Sequence, residues 1–363
     1  MRLGVEAALV DGRLLPGDVE VSGGRVVAVG RASGNGRGLA VPGFVDLQVN
    51  GFAGVDLLDA DPEGYRRIGD ALLETGVTAY LATFITAPEE RLVAALRGLP
   101  AGGDGPRLLG AHLEGPFLSP RRLGIHPANG RRDPDVELLE RLLGAGPVRL
   151  VTLAPELPGA KALIERLLLA EIAISCGHSD ATAEEAEEAF DLGVRAVTHL
   201  FNAMRPFRHR DPGIAGAALA RDDVVVQIIL DGVHLALETA SVVWRAAAGR
   251  VALVTDSMAG AGLGDGTYRI GGLPVEIVDG VARGPDGELA GSTLTMLDAV
   301  RNLHGLGASF EDAITAATEV PARILRNPTV GRIAVGHPAD ILVLTEELEL
   351  ERVLVEGTDR VAL

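Results

Sequence analysis

Two kinds of segment alternate along the chain. Short apolar runs that close on polar residues are followed by loops and then by stretches whose apolar positions recur every three or four residues. Eight such runs stand in the middle of the sequence, at 44–50, 79–86, 107–114, 148–156, 172–178, 195–199, 224–231 and 251–256. Their nearly continuous apolar character is what a strand buried on both faces requires. Most of the segments between them, such as PEGYRRIGDALLETG, PEERLVAALRGL and TAEEAEEAFDLG, read as amphipathic helices. Strands alternating with helices argue for parallel βαβ units. Eight repeats predict an α/β fold with a closed (β/α)8 TIM-like barrel. An open doubly wound sheet is the competing arrangement, weakened because no strand end carries a G-x-G-x-x-G or GxxxxGK[ST] loop.

The ends of the chain have a different rhythm. Residues 1–41 alternate apolar and polar positions between DG, PG and GG breaks, and 329–363 is again strand-rich. Together they predict one small discontinuous β-sandwich domain, formed by 1–41 and 329–363 around a barrel at 42–328.

Composition narrows the class. A chain of 363 residues, 47% of them hydrophobic, is too apolar to be disordered and long enough for a barrel with an addition. Its 47 glycines follow no G-X-Y period and read as tight loops between short elements. The formal net charge of −17 excludes general nucleic-acid binding, because an acidic surface repels a phosphate backbone. No apolar stretch reaches membrane-spanning length, the first residues lack the pattern of a signal peptide, and a single cysteine allows no internal disulfide. A cytoplasmic enzyme with no membrane partner is the expectation.

Seven of the eight runs end on or near residues able to ligate a metal or move protons: Gln48 and Asn50, His112 and Glu114, Glu156, His178, His199, Asp231, and Asp256. In a parallel barrel these ends converge on one face, where barrel active sites are built. A carboxylate and two imidazoles on neighbouring strand ends, with a fourth position left to water, make a catalytic zinc set. Glu114, His178 and His199 are therefore the candidate ligands, although each taken alone could be a hydrogen-bonded strand cap. Cys176 lies on the same face as His178 but deeper, where a small buried cysteine packs rather than ligates. Asp256 is placed to act as general base and then general acid, the alternative being a turn cap before Ser257. His112 either orients a ligand or packs in the core. The histidines at 209, 304 and 337 read as surface or turn residues, and Trp244 as the core face of a helix.

An ordered set of motifs adds to this reading: PGFVDLQVNG (42–51), HLEGPFLSP (112–120), GIHPAN (124–129), GHSDAT (177–182), THLFNAM (198–204), RDPG (210–213), DGVH (231–234), TDSMAGAG (255–262), GSTLTM (291–296) and VGHPADILVL (335–344). Together they resemble the N-acetylglucosamine-6-phosphate deacetylases of the amidohydrolase superfamily, in order over nearly the whole chain. The resemblance implies that Glu114, His178 and His199 hold the metal and that Asp256 is the catalytic acid/base. It implies that His126 contacts the substrate carbonyl and stabilises the developing oxyanion. Ile125, Asn202, Ala203 and the segment Leu289, Ala290 and Gly291 match positions that line the sugar. Arg210 and His234 match a phosphate-binding pair, with Asp231 beside it in the DGVH motif, and the arginine in relatives reaches across from a neighbouring subunit. A homodimer is expected on that basis.

Most amidohydrolases carry His-x-His after the first strand, whereas this chain has Gln48, Val49 and Asn50. Neutral amides are poor ligands beside imidazole, so the pair marks at most the remnant of a second metal site. One divalent ion per chain is expected, zinc foremost, with Fe2+, Mn2+ or Co2+ as alternatives. Arg205, Arg208, His209 and Arg210 concentrate positive charge in an acidic protein, suited to a phosphate. The expected reaction is hydrolysis of N-acetylglucosamine 6-phosphate to glucosamine 6-phosphate and acetate. The alternatives are a deacetylase of N-acetylgalactosamine 6-phosphate, an N-acyl-amino-acid hydrolase, or a catalytically silent amidohydrolase-like oligomer.

Overall fold

The computed structural model of the chain describes residues 1–32, 36–103 and 105–362. Eight parallel strands form one sheet in strictly sequential order: β1 (Phe44–Val49), β2 (Val77–Ile85), β3 (Arg107–Glu114), β4 (Val148–Leu153), β5 (Ala173–Cys176), β6 (Ala196–Val197), β7 (Val225–Ile228) and β8 (Val251–Leu253). Every residue of β1, β2 and β7 is buried, which explains their nearly continuous apolar runs. The barrel closes just beyond the ends of β1 and β8. There Val49 bridges Ser257 in parallel and the Asn50 N–H donates to the Ser257 carbonyl at 2.9 Å. Asp46 reinforces that seam by accepting from the Thr255 hydroxyl at 2.6 Å.

Helices cross over between the strands because their sequences start and stop them locally. Asp61 caps α1 (Pro62–Leu73), with Pro62 opening the first turn. Thr182 and Glu185 form a capping box on the helix Ala183–Leu192. The core clusters accordingly around the strands, from Phe44 and Phe84 to Phe190 and Leu253.

The two chain ends meet in a six-stranded sheet. Leu39–Pro42 lies parallel to Ala7–Val10 on one side and antiparallel to Ile341–Leu344 on the other. A hairpin of Asp18–Ser22 and Arg25–Arg31 covers it, and Val19, Val21, Val26, Ile341 and Leu354 fill the space between. Arg107, at the start of β3, pairs with Asp340 at 2.5 Å and Glu356 at 2.9 Å and ties this layer to the barrel.

Two features differ from the sequence reading. The strands β5 to β8 stop two or three residues before the polar groups assigned to their ends, so His178, His199 and Asp256 stand on the loops that leave the barrel. After β8 the chain also builds a separate antiparallel sheet, Gly266–Ile270, Leu273–Val278 and Val281–Arg283, that the barrel repeat did not anticipate. Its strands alternate exposed and buried residues, and its inner face joins Ile85, Met258 and Ala290 in a small core beside the barrel mouth.

Candidate active site

Three donor atoms converge where β3, β5 and β6 release the chain. Glu114 Oε1 lies 3.0 Å from His178 Nε2 and 3.0 Å from His199 Nε2, and the two imidazole nitrogens are 3.1 Å apart. All three residues are buried. Their chemistry fits a divalent cation. His178 Nδ1 sits 2.9 Å from the Arg122 carbonyl, which can only accept, so Nδ1 carries the proton and Nε2 presents a lone pair. A lone pair and a carboxylate oxygen crowded onto the same point repel unless a cation stands between them. No other group of three His, Cys, Asp or Glu side chains among the described residues converges in this way.

The backbone is bent to deliver these groups. His178, His199 and Asp256 have φ of 48°, 29° and 50°, a left-handed conformation that costs side-chain-bearing residues energy. Such strain persists where the surrounding structure holds it.

Gln48 and Asn50, the pair at the end of β1, reach the two carboxylates of the site. Gln48 Nε2 donates to Glu114 Oε1 at 3.1 Å, and Asn50 Nδ2 donates to Asp256 Oδ1 at 2.7 Å. Each amide donates through its NH2 group to orient a carboxylate, while Gln48 Oε1 and Asn50 Oδ1 are buried without a hydrogen-bond partner. Burial, reinforced by the charge of Glu114, pushes the Asp256 carboxyl up to about 8.

His126 is held by Thr86. Its Nδ1 accepts from the Thr86 backbone N–H at 3.2 Å and lies 2.9 Å from the Thr86 hydroxyl, which fixes the proton on Nε2. Burial, then repulsion from His178, keeps this imidazole neutral, well below the usual histidine range. The Nε2–H is a neutral donor 3.7 Å from Glu114 Oε2.

A cavity of about 260 Å³ opens over these groups. It brings together Glu114, Ile125, His126, His178, His199, Asn202, Ala203, His234, Asp256, Leu289 and Gly291, all assigned to the site from the sequence. The other candidates lie elsewhere or act otherwise. Ala290 is fully buried behind the wall. Asp231 binds His234 Nδ1 at 2.7 Å instead of facing the cavity, which leaves His234 Nε2 as the outward atom. Arg210 is exposed, outside the cavity lining, and makes no hydrogen bond or ion pair with a described residue. Arg205 is spent on Asp211 at 2.8 Å. His112 contacts no ligand residue; it bridges Thr83 and Thr152, and burial lowers it to about 4. Glu156 holds Ser179 and the Asp180 N–H. Burial pushes the Cys176 thiol up, as for a packed residue.

Ile85, Gly124, Ile229, Ile270 and Glu288 also line the cavity and were missed from the sequence. Ile85 and Ile229 follow the strand-end rule and could have been found by it. Ile270 and Glu288 come from the added antiparallel sheet and the turn after it, which no barrel periodicity registers.

Comparison with known proteins agrees with this geometry. Residues 39–358 match the Amidohydrolase family. The N-acetylglucosamine-6-phosphate deacetylase of Lysinibacillus sphaericus is 34% identical over 341 residues, 92% of this chain and 88% of the relative. The N-acetylgalactosamine-6-phosphate deacetylase of Escherichia coli O157:H7 is 35% identical over 327 residues, 88% of this chain and 87% of the relative. A Mycobacterium smegmatis N-acetyl-D-glucosamine-6-phosphate deacetylase, solved as an aspartate-to-alanine variant in complex with N-acetyl-D-glucosamine-6-phosphate, superposes with a TM-score of 0.94 at 36% identity. The match covers 100% of this chain and 99% of that one.

Proposed function

The chain belongs to the amidohydrolase family, and from that premise we propose that it hydrolyses the acetamide of N-acetylglucosamine 6-phosphate to glucosamine 6-phosphate and acetate. The observation that carries this reading is the convergence of Glu114 Oε1 with two imidazole nitrogens in the cavity shared by Asp256 and His126. Glu114, His178 and His199 hold one divalent ion, zinc being the ion best matched to one carboxylate and two imidazoles. Bound there, it supplies Lewis acidity, acidifying water and polarising a carbonyl oxygen.

The side chains divide the remaining work. Asp256 accepts a proton from the attacking water as the new C–O bond forms. Asn50 donates to Oδ1, so the proton is carried on Oδ2. The Nε2–H of His126 donates to the carbonyl oxygen as negative charge builds on it. As the C–N bond breaks, Asp256 returns its proton to the departing amine nitrogen. With a cation on Glu114 to relieve the charge that raises it, the Asp256 carboxylate, steadied by Asn50, is free to take the proton and return it.

His234 and Arg210 bind the phosphate in this account. Asp231 steadies the imidazole of His234 from behind. Arg210 serves the cavity of a second copy in a homodimer. Two features support this: its side chain is free, and Phe207, Val233, Leu237 and Val242 are exposed apolar residues close to Arg210 and His234 in sequence. Hydrolysis of the C4 epimer is the second reading, favoured by the similarity to the E. coli enzyme. Acetate release from both sugar phosphates and from N-acetyl amino acids tests the assignment. N-acetylglucosamine 6-phosphate should give the highest kcat/KM, and a higher value on either rival would replace it.

A further inference from the structure

Most polar groups around the cavity have partners inside the protein, but Glu288 does not. It lines the same cavity as His126 and Asp256. Its Oε2 is sealed from solvent without a hydrogen-bond partner. Oε1 likewise receives no hydrogen bond and no cation from a described residue. The nearby Arg283 is turned away and donates to the Gly287 carbonyl at 2.8 Å. Glu288 as a whole is part-buried, and a carboxylate oxygen closed off from water without a donor is uncommon in native proteins and calls for an explanation.

The surroundings are shaped to keep Glu288 in place. A Cβ on Gly284 would stand 2.4 Å from Glu288 Oε1 and 2.5 Å from Ile125 Cδ1. A side chain at Gly284 would therefore displace the Glu288 carboxylate from its place against Ile125. The Gly284 N–H also donates to the Glu288 carbonyl at 2.9 Å, closing the turn that presents the side chain.

An ionised carboxylate only accepts hydrogen bonds, so its missing partner must be a donor. On the sugar-phosphate reading above, the acetamide nitrogen is served by Asp256, and a phosphate anion is repelled by a carboxylate. The ring hydroxyls remain. We propose that Glu288 is a specificity-determining residue that accepts a hydrogen bond from one ring hydroxyl of the amino-sugar phosphate.

The test compares the wild-type protein, Glu288→Leu and Glu288→Gln on N-acetylglucosamine 6-phosphate and on its 1-deoxy, 3-deoxy and 4-deoxy analogues. In the wild type, one deoxy analogue should lose about 10- to 100-fold in kcat/KM, the scale of a hydrogen bond to a charged group. Glu288→Leu should lose a similar factor on the parent sugar and no longer distinguish it from that analogue. Glu288→Gln, which keeps an acceptor oxygen, should fall between. Neither variant should melt below the wild type, because the Glu288 carboxylate makes no hydrogen bond or ion pair with a described residue for the substitution to break. An equal loss on all four substrates, no loss on the parent, or lowered melting with uniform loss would overturn the assignment. If the wild type released no acetate from the parent sugar, the functional reading itself would fail, an outcome separate from these.

Discussion

Replacing Asp46 by asparagine removes a buried charge from the seam where the barrel closes, and the structure sets the size of the effect. Asp46 is fully buried. Its Oδ1 accepts from the Gln48 N–H at 3.1 Å and the Thr255 N–H at 3.3 Å, and its Oδ2 from the Thr255 hydroxyl at 2.6 Å. Burial raises the carboxyl more than these bonds lower it, from 3.8 to about 6. The folded state therefore favours the protonated form. The stability this contributes is complete below the unfolded value and is lost as pH rises through about 6. At about 1.4 kcal/mol per pH unit, the loss is about 3 kcal/mol at neutral pH. Asparagine is never charged and can keep the contacts, with Oδ1 accepting the two N–H groups and Nδ2 donating to the Thr255 hydroxyl. Asp46→Asn should thus gain about 2 kcal/mol on the wild type between pH 4.5 and pH 8, because about 1 kcal/mol of the loss already falls below pH 4.5. At roughly 2 cal/mol/K of unfolding entropy per residue over 363 residues, that is about 3 °C in Tm. Paired thermal melts across this range measure the difference directly, and other titrating groups cancel between the two proteins. A Tm difference that stays flat with pH, or that turns against the variant as pH rises, would refute the argument.

Other substitutions probe the site itself. Asp256→Asn should lower turnover by about 1,000-fold or more while metal content, read by elemental analysis, stays at the wild-type level. Arg210→Ala should raise KM for the phosphorylated sugar by about 10-fold or more and leave that for the unphosphorylated sugar unchanged; equal effects on both would remove Arg210 from phosphate binding. Gly291→Ala places a Cβ 2.8 Å from the Asp256 carbonyl oxygen at a φ of +65°. It should cost about 1–3 kcal/mol in a denaturant titration and lower kcat, since the clash falls on the backbone that aims Asp256.

How far the sequence revealed this protein depends on which link is considered. The barrel was legible because each of its strands is an apolar run buried on both faces, and burial is written residue by residue. The converging trio was legible for a related reason: parallel strands deliver their ends to one face, so Glu114, His178 and His199 could be picked by position. Pairings through space were not legible. Nothing in the triplet Gln48, Val49 and Asn50 says that its amides grip Glu114 and Asp256 across the barrel, and a remnant metal site was the natural reading. The basic loop looked like a patch of available charge, yet Arg205 is neutralised by Asp211, six residues away in sequence. The antiparallel sheet after β8 breaks the eightfold rhythm, so Ile270 and Glu288 entered the cavity wall without a periodic signal. Left-handed φ at His178, His199 and Asp256 is likewise not readable from sequence, since Asp and His adopt it more often than most residues but too rarely to single out these three positions.

The central claim is that Glu114, His178 and His199 hold a divalent ion on which acetyl removal depends. Its most direct measurement is acetate release from N-acetylglucosamine 6-phosphate by chelator-treated protein before and after addition of zinc. The account predicts that turnover falls to background on chelation, and that about one equivalent of zinc per chain restores it. Full activity after verified metal removal, or a requirement for two equivalents, would contradict it.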